Sequence, residues 1–265
     1  MFILAVSGSA IGLGNIWKFP YITGVNGGGA FVIIYLICIF SIGLPIMISE
    51  IMIGRKGKRN PITSMEILGI EETGNGVWKI VGFIGLMAGF LILSFYSVIA
   101  GWTFHYFLLT LQGLFIETSA MEVKTVFNQL TQSIPKQLIY HSFFMILTVS
   151  IISKGVRNGL EKAVYFMMPA LLIIMCVLLY YSITQGNFSE GVSFLFKPDF
   201  SIITASTILV AMGHAFFTLS LGMGCVVMYG AYLEEHESIF KTSIIIVLCD
   251  TFIALFAGLI IFPIV

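Results

Sequence analysis

The chain has 265 residues, is 58% hydrophobic and only 10% charged, and has a mean hydropathy of +1.03. That composition excludes a soluble globular domain and selects an integral membrane protein. Thirteen basic residues balance thirteen acidic ones, so no basic surface argues for nucleic acid.

Apolar runs long enough to cross lipid, roughly 20 residues each, predict seven helices. They are Phe2–Val25, Ala30–Ile53, Trp78–Gln112, Gln137–Ile152, Ala163–Thr184, Ile202–Leu233 and Ile239–Val265, the fourth being short. The first lacks the basic start and the small-residue cleavage pattern of a signal peptide. Arg55, Lys56, Lys58 and Arg59 follow the second run, and Lys154, Arg157 and Lys162 follow the fourth. Excess positive charge marks cytoplasmic loops, so the amino terminus is expected in the cytoplasm. The loops at Gly27–Gly29, Leu114–Lys136 and Gln185–Phe200 then face outside, and the acidic Glu234–Lys241 loop faces inside. Cys38, Cys176, Cys225 and Cys249 all lie in apolar stretches without metal-ligand spacing and read as small hydrophobes. Both ends of the chain are abrupt, which reads as a partial chain.

Two of the runs break at glycine. One breaks at Ile11-Gly12-Leu13-Gly14-Asn15 and the other at Thr218-Leu219-Ser220-Leu221-Gly222-Met223-Gly224. Unwound backbone survives at membrane depth only beside protein or a polar cavity. Paired breaks of this kind point to a transporter's binding site. Free carbonyls at a break attract cations and free N–H groups attract anions. Asn15, Thr218 and Asp250 offer side-chain oxygens for a hard cation such as sodium, and a substrate carboxylate suits the N–H groups near Gly14. The bland alternative for the glycines is close helix packing. Asp250 is the strongest single pointer, because it lies about a third of the way into the apolar run Ile244–Phe262 and intramembrane acids are costly. Pairing with another helix's polar group is its alternative. Glu50 lies nearer a helix end, where snorkelling accounts for it. Lys18, His105 and His214 carry the same reservation. Tyr96, flanked by Ser94 and Ser97, needs a partner for its hydroxyl, either a substrate carboxylate or a backbone carbonyl.

The stretch Ser7-Gly8-Ser9-Ala10-Ile11-Gly12-Leu13-Gly14-Asn15-Ile16-Trp17-Lys18-Phe19-Pro20-Tyr21 resembles the first helix of the neurotransmitter:sodium symporters. Asn26-Gly27-Gly28-Gly29-Ala30-Phe31 resembles the turn into their second helix, and Glu50 with Gly54-Arg55 its end. Phe216-Phe217-Thr218-Leu219-Ser220-Leu221-Gly222-Met223-Gly224 resembles the sixth. The rule about paired breaks was drawn from this same family, so it is not independent of the resemblance.

The resemblance implies an all-α membrane protein, a five-plus-five inverted-repeat transporter with unwound helices 1 and 6. Residues 1–184 would form the first repeat and 185–265 the start of the second, which is truncated. It implies a first sodium site from the Ala10 carbonyl and the Asn15, Thr218 and Asp250 side chains, completed by the substrate carboxylate. A second, partial site would use carbonyls of Gly8 and Ile11. Substrate would meet Leu13, Gly14 and Tyr96 with its carboxylate, and carbonyls of Ala10, Phe217, Thr218 and Ser220 with its amine. Phe217 would be a lid, Met223 would line the side-chain pocket, and Lys18 would replace the usual arginine at the outer gate. Gly12 stands where amine carriers place an aspartate, which favours amino acids. Asp250 and Ala254 stand where chloride-dependent members place asparagine and serine, which implies chloride independence. Tyr35 matches a tyrosine of the chloride site, and His214 replaces a common glutamine.

The expected protein is thus a sodium-coupled amino-acid symporter of the plasma membrane. It needs no cofactor beyond co-transported sodium, is not an enzyme, and has a homodimer as a possible assembly. A non-transporting amino-acid receptor and a nonfunctional fragment are the alternatives.

Overall fold

The computed structural model describes residues 8, 10–116 and 118–265, without the side chain of Arg157. The predicted start of the first helix, residues 2–7, lies outside them, as do Ser7 and Ser9 of the first-helix motif. The described chain is helical apart from turns and one isolated bridge, Gly28 to Pro198. It forms two compact units, Met1–Ala88 with Ala163–Val265, and Gly89–Lys162.

In the first unit, α1 is a π-helical turn, Gly14–Lys18, running into Phe19–Val25. α2 covers Gly29–Gly57 with a π-helical stretch at Ile39–Gly43, and α3 covers Pro61–Thr73. α4, Gly76–Leu111, begins here and continues into the second unit. That unit also holds α5, Ala120–Gln132, and α6, Ile134–Ile152. The first unit resumes with α7, Asn158–Gln185, most of which follows residue 162. It goes on through α8, Phe188–Phe196; α9, Ala205–Thr218; α10, Cys225–Gly230; and α11, Ile239–Ile261.

Among the described residues, α2, α4, α7 and α11 are long and apolar enough to cross a membrane. α9 is a shorter apolar helix. The predicted run Ile202–Leu233 is two helices, α9 and α10, on either side of a six-residue break. α3, α5 and α8 fill segments that hydropathy alone reads as loops. Their ends carry ordinary caps. The Asn60 side chain accepts from Thr63 N–H with Pro61 at the first helical position, and Gly74 closes α3 in the left-handed conformation. Ser119 and Glu122 form a reciprocal capping box that opens α5. The Ser119 amide, and then its hydroxyl, hold the Glu122 carboxyl below its usual range.

The core of the first unit gathers α1, α2, α9, α10 and α11. α2 packs most extensively on α10, where backbone meets backbone. A Cβ on Gly54 would overlap the Val227 carbonyl, and one on Gly230 would lie 2.6 Å from the Ile51 carbonyl. Small residues permit this approach, as they do throughout membrane helix pairs. At the polar end of α2, Arg55 donates to the Glu237 carbonyl at 2.8 Å and Lys58 pairs with Glu235 at 2.7 Å.

Candidate functional site

Three elements of the first unit bring Asn15, Thr218 and Asp250 together. All three are buried, at 0%, 2% and 0% exposure. Asn15 donates from Nδ2 to the Asp250 carboxylate at 2.7 Å and to the Asp250 backbone carbonyl at 3.0 Å. Thr218 Oγ1 donates to the same carboxylate at 3.0 and 3.1 Å. A carboxylate taken out of water needs such partners, and hydrogen bonds to a charged group are about twice as strong as neutral ones.

Local sequence places each partner. In α1 the helix is interrupted at Ile11 and Gly12 and resumes at Leu13, so the break is shorter than the Ile11–Asn15 span expected from sequence. Asn15 is part of that break's architecture. Its Oδ1 accepts the Gly12 N–H at 3.1 Å, while the Gly12 carbonyl accepts Asn15 N–H at 3.1 Å and Ile16 N–H at 3.2 Å. One side chain therefore caps its own helix and reaches across to Asp250.

The second break begins as a Schellman turn. Leu221 N–H donates to the Phe216 carbonyl at 3.0 Å and Ser220 N–H to the Phe217 carbonyl at 3.2 Å. The left-handed position of that motif normally takes glycine, but here Ser220 occupies it at φ 56°. Strain of about 1 kcal/mol accompanies a non-glycine residue there. Ser220→Gly is therefore expected to stabilise the protein by about 0.5–1 kcal/mol, after the extra unfolded-state entropy of glycine. A rise in melting temperature would register it. Gly222 and Gly224 both have φ 76°, and Gly222 N–H donates to Glu50 Oε1 at 2.7 Å. Glu50 does not snorkel. It is buried on α2 and anchors the break from a neighbouring helix.

Around this centre, a Cβ on Gly14 would lie 3.3 Å from the Phe217 ring and 4.0 Å from Thr218 Oγ1. Lys18 Nζ stands 3.7 Å from the Phe217 ring centroid, a cation–π contact that joins the two expected gate residues. Ala10 and Ile11 are buried at the first break, and Ile11 belongs to an apolar cluster with Met175, Ile253, Ala257 and Ile260. Gly8 abuts Val164, and Met223 is half-buried between the two glycines of the second break. Tyr96 lies half-buried on α4 within the second unit, and its assignment rests on the resemblance alone. His214 stacks on Phe19, and Tyr35 lies tilted against both rings, one turn from the carboxylate centre.

Sequence reasoning missed two contributors. Glu50 was visible as a carboxylate, but its partner is a backbone N–H that no residue type announces. Gly85 of α4 brings its backbone against the break, where an added Cβ would lie 3.0 Å from the Gly222 carbonyl. Its signal was a glycine facing a neighbour rather than breaking its own helix.

Comparison with known proteins finds a family profile described as Sodium:neurotransmitter symporter family matching residues 1–125 and 115–265. A Bacillus subtilis protein named Uncharacterized sodium-dependent transporter YhdH is 40% identical over 262 residues, covering 99% of this chain and 57% of that protein. The Rattus norvegicus Sodium-dependent neutral amino acid transporter B(0)AT3 is 28% identical over 297 residues, covering 99% of this chain and 46% of its own length. The crystal structure of MhsT in complex with L-phenylalanine superposes with a TM-score of 0.90 at 41% identity, covering 99% of this chain and 59% of MhsT. The chain thus spans less than two thirds of each of these proteins.

Proposed function

From the sodium:neurotransmitter symporter family, to which this chain belongs, we propose that the protein carries a small amino acid across the plasma membrane together with sodium. The family is one of sodium-dependent transporters rather than enzymes, and its multi-pass helices fit α2, α4, α7 and α11. The single observation that carries the reading is the convergence of Asn15, Thr218 and Asp250 where two interrupted helices meet. Oxygen donors on a buried acidic centre suit a hard monovalent cation.

In this reading sodium takes the Ala10 carbonyl and the oxygens of Asn15, Thr218 and Asp250. The substrate carboxylate completes the set beside Leu13, Gly14 and the Tyr96 hydroxyl. The amine meets carbonyls of Ala10, Phe217, Thr218 and Ser220, Phe217 closes over it, and Lys18 closes over Phe217. Met223 faces the substrate side chain. Carbonyls of Gly8 and Ile11 serve a second sodium. The fixed carboxylate of Asp250 supplies the negative charge that chloride brings elsewhere in the family, so transport is independent of chloride. Seven spans, an inverted-repeat relation between residues 1–184 and 185–265 and a cytoplasmic amino terminus belong to the same proposal. Alternating access moves α1, α2, α9, α10 and α11 as a bundle, consistent with the backbone-to-backbone seam at Gly54 and Gly230.

Shared ligands make the coupling reciprocal: each bound species strengthens the other by the same factor. Asn15→Ala is therefore expected to weaken sodium and substrate together, each by about tenfold, the equivalent of one charge-assisted hydrogen bond. Uptake of an amino-acid panel into proteoliposomes, titrated with sodium and then with substrate, checks this. A shift in one affinity without the other would refute the shared site. Binding without flux in the wild-type protein would replace the carrier with a receptor.

A further inference from the structure

His214 is used by none of the roles above. It lies on α9 one turn before Thr218 and is 2% exposed. Neither ring nitrogen has a hydrogen-bond partner among the described residues. A neutral imidazole presents one donor and one acceptor, and leaving both unpaired in a buried place costs their full desolvation. Its ring is held from two sides. Phe19 of α1 stacks on it at 5.9 Å and Tyr35 of α2 lies at 5.3 Å, with 5.2 Å between Phe19 and Tyr35. The imidazole plane is therefore fixed, and its two nitrogens cannot swing out to find partners.

Three polar groups approach from the packed helices. Lys18 on α1 directly precedes Phe19, the ring stacked on His214. Tyr35 on α2 has a fully buried hydroxyl, and Asp250 on α11 lies beyond it. The Tyr35 hydroxyl faces the Asp250 carboxylate and the Thr218 hydroxyl but has no hydrogen-bond partner among the described residues. Buried polar atoms in this situation are commonly satisfied by ordered water that bridges two or more of them.

We propose that His214 binds ordered water and through it holds the Tyr35 hydroxyl against Asp250 and Thr218, as a positioning residue for the cation centre. The inference rests on the sodium reading given above. Its chemistry needs the nitrogens of residue 214 rather than the ring, which separates it from a packing role.

The test titrates purified protein with sodium chloride against choline chloride at constant ionic strength and reads the melting temperature. His214→Gln keeps a donor and an acceptor, and the midpoint of its sodium response is expected within about twofold of wild type. His214→Phe keeps the ring but loses the nitrogens, and its midpoint is expected to rise about fivefold or more while its sodium-free melting temperature is retained. His214→Met, also without nitrogen, supplies the same comparison if the Phe variant does not fold. A wild-type midpoint in the nitrogen-free variant, or equal losses in the Gln and nitrogen-free variants, would overturn the proposal. A wild-type protein whose melting temperature ignores sodium would instead bring down the sodium reading, and this inference with it.

Discussion

Asp250→Ala is expected to reduce sodium-dependent uptake about a hundredfold or more, with the protein still reaching the membrane. The substitution removes the one group that Asn15 and Thr218 both address. It also leaves the buried Thr218 hydroxyl without its acceptor, at a cost of about 1–3 kcal/mol, and leaves Asn15 with only the backbone carbonyl of residue 250. The loss therefore exceeds that of Asn15→Ala, which removes only one partner. Uptake normalised to the amount of protein in the membrane measures it, and wild-type uptake in the variant would remove Asp250 from the mechanism.

Gly54→Val should unfold or misassemble the protein. The Cβ alone overlaps the Val227 carbonyl, and both sides of the contact are backbone, so no rotamer change relieves it. Overpacking of this kind costs about 3 kcal/mol or more when neighbours cannot shift. The control is Gly213→Ala, where nothing lies within 4 Å of the added atom. There, helix propensity predicts a neutral or stabilising change of up to about 1 kcal/mol. Melting temperature and the monodisperse fraction in detergent distinguish the two. A Gly54 variant as stable as the control would mean that the seam between α2 and α10 is loose.

Much of this site was legible before any coordinates. Glycine clusters inside apolar runs announce interrupted helices, because glycine is the residue least able to hold a helix on its own. An acid at the depth of Asp250 is equally conspicuous, and in the structure it accepts hydrogen bonds from Asn15 and Thr218. The extent of each break was less readable. Leu13 to Asn15 rejoin a helix because Asn15 caps Gly12 with its own side chain, a contact that composition does not encode. Glu50 was misread because burial near a helix end depends on what packs over it. α5 was hidden by its low hydropathy and α8 by its length of nine residues, although the Ser119-to-Glu122 spacing was a capping signal that a search for apolar runs passes over. The Gly155-to-Leu160 region and Pro169 also escaped notice. Here a π-helical turn at Val156–Leu160 and an internal proline loosen the backbone ladder of α7 within a few turns.

The anchoring of the second break bears on how this protein can change over evolution. Gly222 is pinned by Glu50 from α2, and Gly224 opens α10 in a left-handed conformation that side chains resist. The backbone on both sides of residue 223 is thus specified by groups other than its own side chain. Met223 can be exchanged for larger or smaller residues while the two flanking anchors keep the path of the chain. Such a position behaves as an interchangeable insert in a fixed frame. Under the proposed function, where residue 223 faces the substrate, selectivity is then free to change at this codon while the residues around Asp250 stay untouched.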